Sequence, residues 1–412
     1  MRFRIDVLAV KTNTANSPST VNMFDLNTCI RKNILELQPY RCARDDFSEG
    51  ILLDANECAY GSAYIADGTH YNRYPDPRQI AVKERFCAIR NGECHPKKPI
   101  THENIVMGVG SDEIIDSLIR ITCIPGKDTI LMCPPSYGMY PVCAKVNDVK
   151  VKKVLLKPDF TLDTEAVLKA IREDPTIKVV FVCSPGNPTA KNIALDDIKR
   201  ILDEPSYNGL VVSDEAYIDF SPAEASAVTI VNEYPNLAVC QTLSKAFGLA
   251  GIRVGFCITD PKIAQIMNNL KAPYNISNPT SKLAYEALSP ESAARKDRNR
   301  DALNKQRDRL VQELPKIPGV GSIIGGLDAN FLLVTILDKP AKDGKPSNES
   351  AHYVYMQMAT EHKVVVRYRG SEPLCEGGLR ITVGTEEENT VLLDRIAFVL
   401  NDYFTKKGIT SA

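Results

Sequence analysis

Two spacings of apolar residues alternate through the middle of the chain. NIVMGVG (104–110), DTILMCP (128–134), VKKVLL (151–156), KVVFVCSP (178–185), GLVVSDEAY (209–217), LAVCQTL (237–243) and RVGFCIT (253–259) are short runs with the β-branched bias of strands. Between them, SDEIIDSLIRITC (111–123) and DTEAVLKAIRED (163–174) repeat their apolar residues at helical spacing. Near-continuous strands separated by helices predict an α/β fold, a mostly parallel sheet covered by helices on both faces. From about residue 290 the pattern changes. SAARKDRNRDALNKQRDRLVQEL (292–314) reads as a long, charged, solvent-facing helix, followed by strands in NFLLVTIL (330–337), KVVVRYR (363–369) and LRITVG (379–384). Thr385 and Glu388 have the spacing of a capping box at the start of a last helix. These elements predict a second, smaller α+β domain, with KPAKDGKPSNES (339–350) as a polar loop.

The expected division is a disordered extension over 1–23, an arm over 24–75 belonging to the small domain, a large domain over 76–290 and the small domain over 291–412. A chain of 412 residues that is 44% hydrophobic has enough apolar content for two cores. Its formal net charge of −1 argues against a general nucleic-acid binder, whose footprint is a basic excess. The 12 cysteines include no CxxC pair and the five histidines no metal-ligand spacing, so reduced core thiols, no metal and a cytoplasmic location are expected. No apolar run reaches the roughly 18–20 residues that span a bilayer.

In a doubly wound sheet, ligands collect beyond the carboxyl ends of the strands, and here those positions carry a set of polar residues. Gly110, Ser111 and Asp112 open a helix after the first run, a place where backbone N–H groups can bind an anion. Tyr137 stands in a proline- and glycine-held loop, where its ring could stack on a flat heterocycle. Asn187 sits between a glycine and a proline, and Asp214 ends a strand with Tyr217 three residues on. Taken singly, each also suits a plain structural role: a capped helix, a packed ring, a turn, a buried salt bridge. Thr242, Ser244, Lys245 and Arg253 change that balance. An amine and a guanidinium brought together repel unless an anion lies between them or the amine is neutral. A phosphate held by Thr242, Ser244 and Arg253 meets the first condition. An amine whose pKa is lowered by fixed positive charge meets the second and can attack an aldehyde.

Together these residues resemble the fold type I aminotransferases that use pyridoxal 5′-phosphate. SPGNPT, SDEAY and SKAFGLAGIRVG stand in that family's order and spacing, and the resemblance covers the chain from about residue 24 onward. LQPYRCARDD (37–46), LDANE (53–57), NRYPDP (72–77), PPSYGMY (134–140) and GLRITVGT (378–385) resemble a branch acting in histidine biosynthesis. That resemblance implies reversible amino transfer between L-histidinol phosphate and 2-oxoglutarate, giving imidazole acetol phosphate and glutamate. It implies that Lys245 holds the cofactor aldehyde and moves the substrate proton, while Asp214 pairs with the ring nitrogen. Asn187 and Tyr217 would bond the ring's phenolic oxygen and Tyr137 would stack on the ring. Gly110, Ser111, Asp112, Thr242, Ser244 and Arg253 would hold the phosphate. Tyr74 would reach the cofactor of a second subunit in a homodimer. Arg380 would bind substrate anions with Arg367 beside it, Asn56 would contribute to the substrate site, and Tyr40 would close over it. Spacing favours Arg367 over Arg369, although both alternate onto one strand face.

Three other readings remain open: an aminotransferase of aromatic or other amino acids, a phospho-amino-acid decarboxylase on the same fold, and a non-catalytic binding module. A nicotinamide dehydrogenase lacks its GxGxxG turn, since MGVGSD has no third glycine.

Overall fold

A computed structural model of the protein describes residues 24–39, 54–58, 60–63 and 71–409. The expected extension over 1–23 and Tyr40 lie outside the described residues.

Seven strands form the larger sheet: β1 (Ile105–Val109), β2 (Thr129–Met132), β3 (Lys150–Lys153), β4 (Ile177–Cys183), β5 (Leu210–Asp214), β6 (Leu237–Thr242) and β7 (Val254–Thr259). Their order is β1-β7-β6-β5-β4-β2-β3. β7 runs antiparallel to both neighbours while the others share one direction, so the loops after β1, β2, β4, β5 and β6 leave from one edge. The unbroken apolar runs follow from burial on both faces. β5, β6 and β7 are buried at every residue, and successive residues such as Val211 and Val212 enter different clusters of the core.

The smaller sheet is antiparallel throughout, in the order β10-β11-β9-β8, with β8 (Val320–Ile324), β9 (Phe331–Ile336), β10 (Arg367–Tyr368) and β11 (Gly378–Thr382). Helices Asn348–Thr360 and Glu386–Lys406 cover it through a separate apolar core that includes Leu332, Val354, Ile381 and Ile396. The Thr385–Glu388 capping box is present at the start of the second of these helices.

Four features differ from expectation. The segment 24–39 packs on the larger sheet's helices rather than in the small domain. Cys29, Ile30 and Ile34 bury among Ile121 and Cys123, the Arg31 amide donates to the Ile121 carbonyl at 2.9 Å, and the Asp25 amide donates to Asn208. The long helix Pro290–Glu313 is not wholly solvent-facing, because the Lys296 side chain is buried in an ion cluster. The polar loop ends early, since Ser347 caps a helix from Asn348. β8 was not foreseen: Gly319 and Gly321 interrupt the apolar pattern that would announce it.

Two loops join the domains. The backbone of Gly326 and of Asp328 donates to the carbonyls of Thr189 and Ala190, each at 2.8 Å. A Cβ on Gly325 would fall 2.0 Å from the Thr189 carbonyl oxygen, so only glycine permits this approach. The contact sets the smaller sheet against the turn that carries Asn187.

Candidate active site

Asp214 closes β5 and is 3% exposed. The Tyr140 hydroxyl donates to its Oδ2 at 2.6 Å, whereas Oδ1 is buried without a hydrogen-bond partner. Burial pushes the carboxyl up to about 6, against the bond from Tyr140, which favours the anion. Tyr140 is itself fully buried, stacked on Phe181 with ring centroids 4.5 Å apart. It is the member of the site that reading the sequence missed. Its position in the apolar pattern of helix Met139–Val146 looks like core, and the long-range bond to Asp214 leaves no local signature.

Lys245 lies two residues beyond the Ser244 hydroxyl's neighbour Leu243, in the turn after β6, and its amine sits 5.4 Å from the Tyr217 ring centroid. Burial lowers its pKa, followed by Arg380 and then Arg253, while Asp112 and Asp214 oppose the shift. The shift is toward the neutral amine, but burial is its larger cause and the first cation to add to it, Arg380, comes from the small domain. Tyr217 is buried and edge-on to Phe331 at 5.0 Å, and burial raises its phenol.

The anion cradle forms where β1 meets β7. The Gly110 amide donates to the Arg253 carbonyl at 3.1 Å, and helix Gly110–Thr122 starts there without a side-chain cap. Gly110 has φ +77°, and a Cβ on it would come 2.5 Å from Arg253 Nη2. Opposite, a Cβ on Gly255 would fall 2.4 Å from the Gly110 carbonyl carbon. These two glycines let the helix start, Ser111 and Asp112 included, lie against Arg253. Arg253 Nη2 is 3.7 Å from Asp112 Oδ2, and Tyr137 donates to Asp112 Oδ1 at 2.9 Å. Thr242 Oγ1 donates to the Val254 carbonyl at 2.8 Å and accepts from the Ser244 amide at 3.1 Å, with Ser244 Oγ 2.9 Å away.

From the smaller sheet, Arg380 Nη1 donates to Asn187 Oδ1 at 2.6 Å and Arg369 Nη2 approaches the same oxygen at 3.4 Å. Burial and then Arg369 lower the Arg380 pKa. Arg369 also bonds Glu372 at 2.5 Å and keeps a buried Nε without a partner. Of the two arginines, Arg369 reaches Asn187, whereas the expected Arg367, paired with Arg380 across β10 and β11, is exposed. β10 spans only two residues, and Arg369 follows its end into the loop over Asn187.

Tyr74 and Asn56 do not join this cluster. They line a separate groove of about 510 Å³ with Glu57, Arg73, Tyr274 and Asn278. Tyr74 is 51% exposed and stacks on Tyr274 with centroids 4.6 Å apart.

A model of the family described as "Aminotransferase class I and II" matches residues 45–396. The chain is 69% identical over 385 residues to histidinol-phosphate aminotransferase of Schizosaccharomyces pombe, covering 93% of this chain and 100% of that protein. It is 46% identical over 381 residues to the protein of the same name from Saccharomyces cerevisiae, covering 90% and 96%. The structure of histidinol-phosphate aminotransferase from Sinorhizobium meliloti in complex with pyridoxal-5′-phosphate superposes with a TM-score of 0.70 at 20% identity, covering 81% of this chain and 84% of that one. This last likeness speaks for the fold.

Proposed function

The chain belongs to the aminotransferase class I and II family, and from that premise we propose that it transfers an amino group between L-histidinol phosphate and 2-oxoglutarate, with pyridoxal 5′-phosphate as cofactor. The residues present fit that cofactor. Asp214 Oδ1 is a buried acceptor lacking a donor, which a protonated ring nitrogen would supply. The glycine-lined helix start, Ser111, Asp112, Thr242, Ser244 and Arg253 form a donor set suited to a phosphate. Asn187 and Tyr217 would hold the ring's phenolic oxygen, and Tyr137, Gly110 and Lys245 complete the pocket. When bound, the cofactor supplies an aldehyde for amino groups and a ring that withdraws electrons from the adjoining carbon.

The chain's own residues do the rest. Lys245 Nζ, biased toward its neutral form by burial, carries the lone pair needed to hold the aldehyde carbon. With substrate bound, the same nitrogen would be the group to take the proton from the substrate carbon that bears nitrogen, and later to give it up. Asp214 keeps the ring nitrogen charged. The Arg380 and Arg369 guanidiniums share one neutral oxygen of Asn187. Glu372 pairs with Arg369, so the surplus positive charge and the unused donors rest on Arg380, with the unpartnered Nε of Arg369 beside it. This is the observation that carries the substrate assignment: such a fork suits the phosphate monoester and the dicarboxylate in turn. Tyr40, Asn56 and Arg367 remain the other candidates for substrate contact.

The exposed Tyr74 beside Tyr274 supports a homodimer in which the Tyr74 of each subunit reaches the phosphate held by the other. No helix among the described residues is long and apolar enough to cross a membrane, and the described cysteines are free, which supports a reduced, cytoplasmic setting.

The direct test is glutamate formation from 2-oxoglutarate with histidinol phosphate, phenylalanine and aspartate as donors, compared side by side. A strong preference for histidinol phosphate is expected. Comparable rates with phenylalanine would refute the narrow specificity, and carbon dioxide release without consumption of 2-oxoglutarate would refute the reaction class.

A further inference from the structure

Asp214 has two carboxylate oxygens in unlike surroundings. Oδ2 accepts the Tyr140 hydroxyl at 2.6 Å, and Oδ1 is buried without a hydrogen-bond partner, the nearby Ala216 amide acting on the carboxylate only electrostatically. The phenol making this bond cannot swing away. Its ring is fully buried, stacked on Phe181 at 4.5 Å and 12°, and meets the Tyr137 ring edge-on at 5.6 Å. Phe181 stands in β4, beside β5 in the sheet, so the donor is braced by the strand next to the acceptor's own. We propose that Tyr140 is a positioning residue for the amino-transfer reaction: by occupying Oδ2 it leaves Oδ1 as the free acceptor for the cofactor's ring nitrogen and keeps the proton they share on that nitrogen.

This rests on the cofactor reading above and deepens it. A carboxylate and a ring nitrogen share one proton, and its position decides how strongly the ring withdraws electrons. A donor on the carboxylate stabilises the anion and leaves the proton on nitrogen. The other groups facing Asp214 are the Ala216 backbone amide, which favours the anion, Asp112, which disfavours it, Lys245, which favours it, and the neutral Cys183, Tyr137, Tyr217 and Cys240. Burial outweighs all of them and holds the carboxyl at about 6, so loss of one donor raises it further toward the working range.

The test follows the dissociation constant of pyridoxal 5′-phosphate from the full-length apoprotein between about pH 5 and 9, where the Asp214 titration and its expected displacement fall. Wild-type affinity is expected to rise as Asp214 ionises and then level. In Tyr140→Phe, which keeps the ring and removes the donor, that rise should move up by about one pH unit, with affinity down about tenfold at pH 5 and about twofold at pH 7. A matching fall in kcat, with KM for histidinol phosphate little changed, is expected because the ring's electronics act on the proton-transfer step. Site-specific 3-fluorotyrosine at 140, a stronger donor of nearly the same size, should move the rise the other way. It carries the test if Tyr140→Phe fails to fold. Coincident pH profiles for wild type and either folded variant would overturn the inference while leaving the cofactor reading intact. A wild-type protein that binds no pyridoxal phosphate would sink both.

Discussion

Asp214 shows the conflict between function and stability at the scale of one residue. Its carboxyl rises from an ordinary value of 3.8 to about 6 in the folded chain, with burial the first cause. Between those values the folded state holds a proton that the unfolded chain has released. Stability from this source is therefore complete below about pH 4 and lost as pH rises through 6. A shift of about two units amounts to about 3 kcal/mol against the cofactor-free fold at pH 8. Asp214→Asn keeps the shape and an acceptor for Tyr140 but cannot ionise. The apoprotein of this variant should withstand more urea than wild type at pH 8, by up to about 3 kcal/mol, with the difference narrowing at pH 5. Lower stability than wild type at both pH values would show that the carboxylate is satisfied in the apoprotein after all. If Asp214 pairs with the cofactor's ring nitrogen as proposed, the same variant should bind pyridoxal phosphate poorly.

At the scale of elements, what the sequence revealed depended on whether the signal was local. Asp214 and Lys245 stood out because one ends an apolar strand and the other lies three residues past one, so position along the chain predicts position at the sheet edge. Asn187 stood out for the same reason, and Arg253 because it directly precedes a strand that runs antiparallel to its neighbours. Arg369 was not, because its strand has two residues and alternation cannot be extrapolated from so short a run. Nor was the inner anchoring of helix Pro290–Glu313, whose charge pattern reads as a solvated surface. Lys296 in that helix is 3% exposed and lies 2.8 Å from Glu93, 3.3 Å from Asp297 and 3.5 Å from Asp219, with Arg90 bonded to Asp219 at 2.7 Å. Its ammonium also stands 5.2 Å from the Phe247 ring centroid, two residues beyond Lys245. The cluster thus ties the long helix to the turns that carry Tyr217 and Lys245, since Asp219 follows Tyr217 by two residues. Removing the lysine leaves surplus buried carboxylate, so Lys296→Met should destabilise the protein by about 3 kcal/mol in urea unfolding. A loss below about 1 kcal/mol would mean that Arg90 alone compensates Asp219 and that the helix is held by its apolar face.

For the whole molecule, the proposed homodimer would make the number of subunits part of the chemistry, through Tyr74. Lys245, Asp214, Asn187 and Arg380 converge within one chain, but Tyr74 lies with Asn56 in the groove beside Tyr274. If each site takes Lys245 from one chain and Tyr74 from another, two inactive variants should repair each other. Lys245→Ala removes the reactive amine, and Tyr74→Ala removes the contribution from across the dimer. In a mixed dimer both lesions fall in one of the two sites, and the other site is whole. Random reassociation makes half of the dimers mixed, so mixing equal amounts of the two variants under exchanging conditions should recover about a quarter of wild-type turnover. Sites built within single chains would give no recovery beyond the sum of the two variants, because every chain would carry its own defect. Sedimentation of each variant alone must show the same dimer as wild type, which separates loss of the shared residue from loss of assembly. Recovery in that setting can come only from a site completed across two chains.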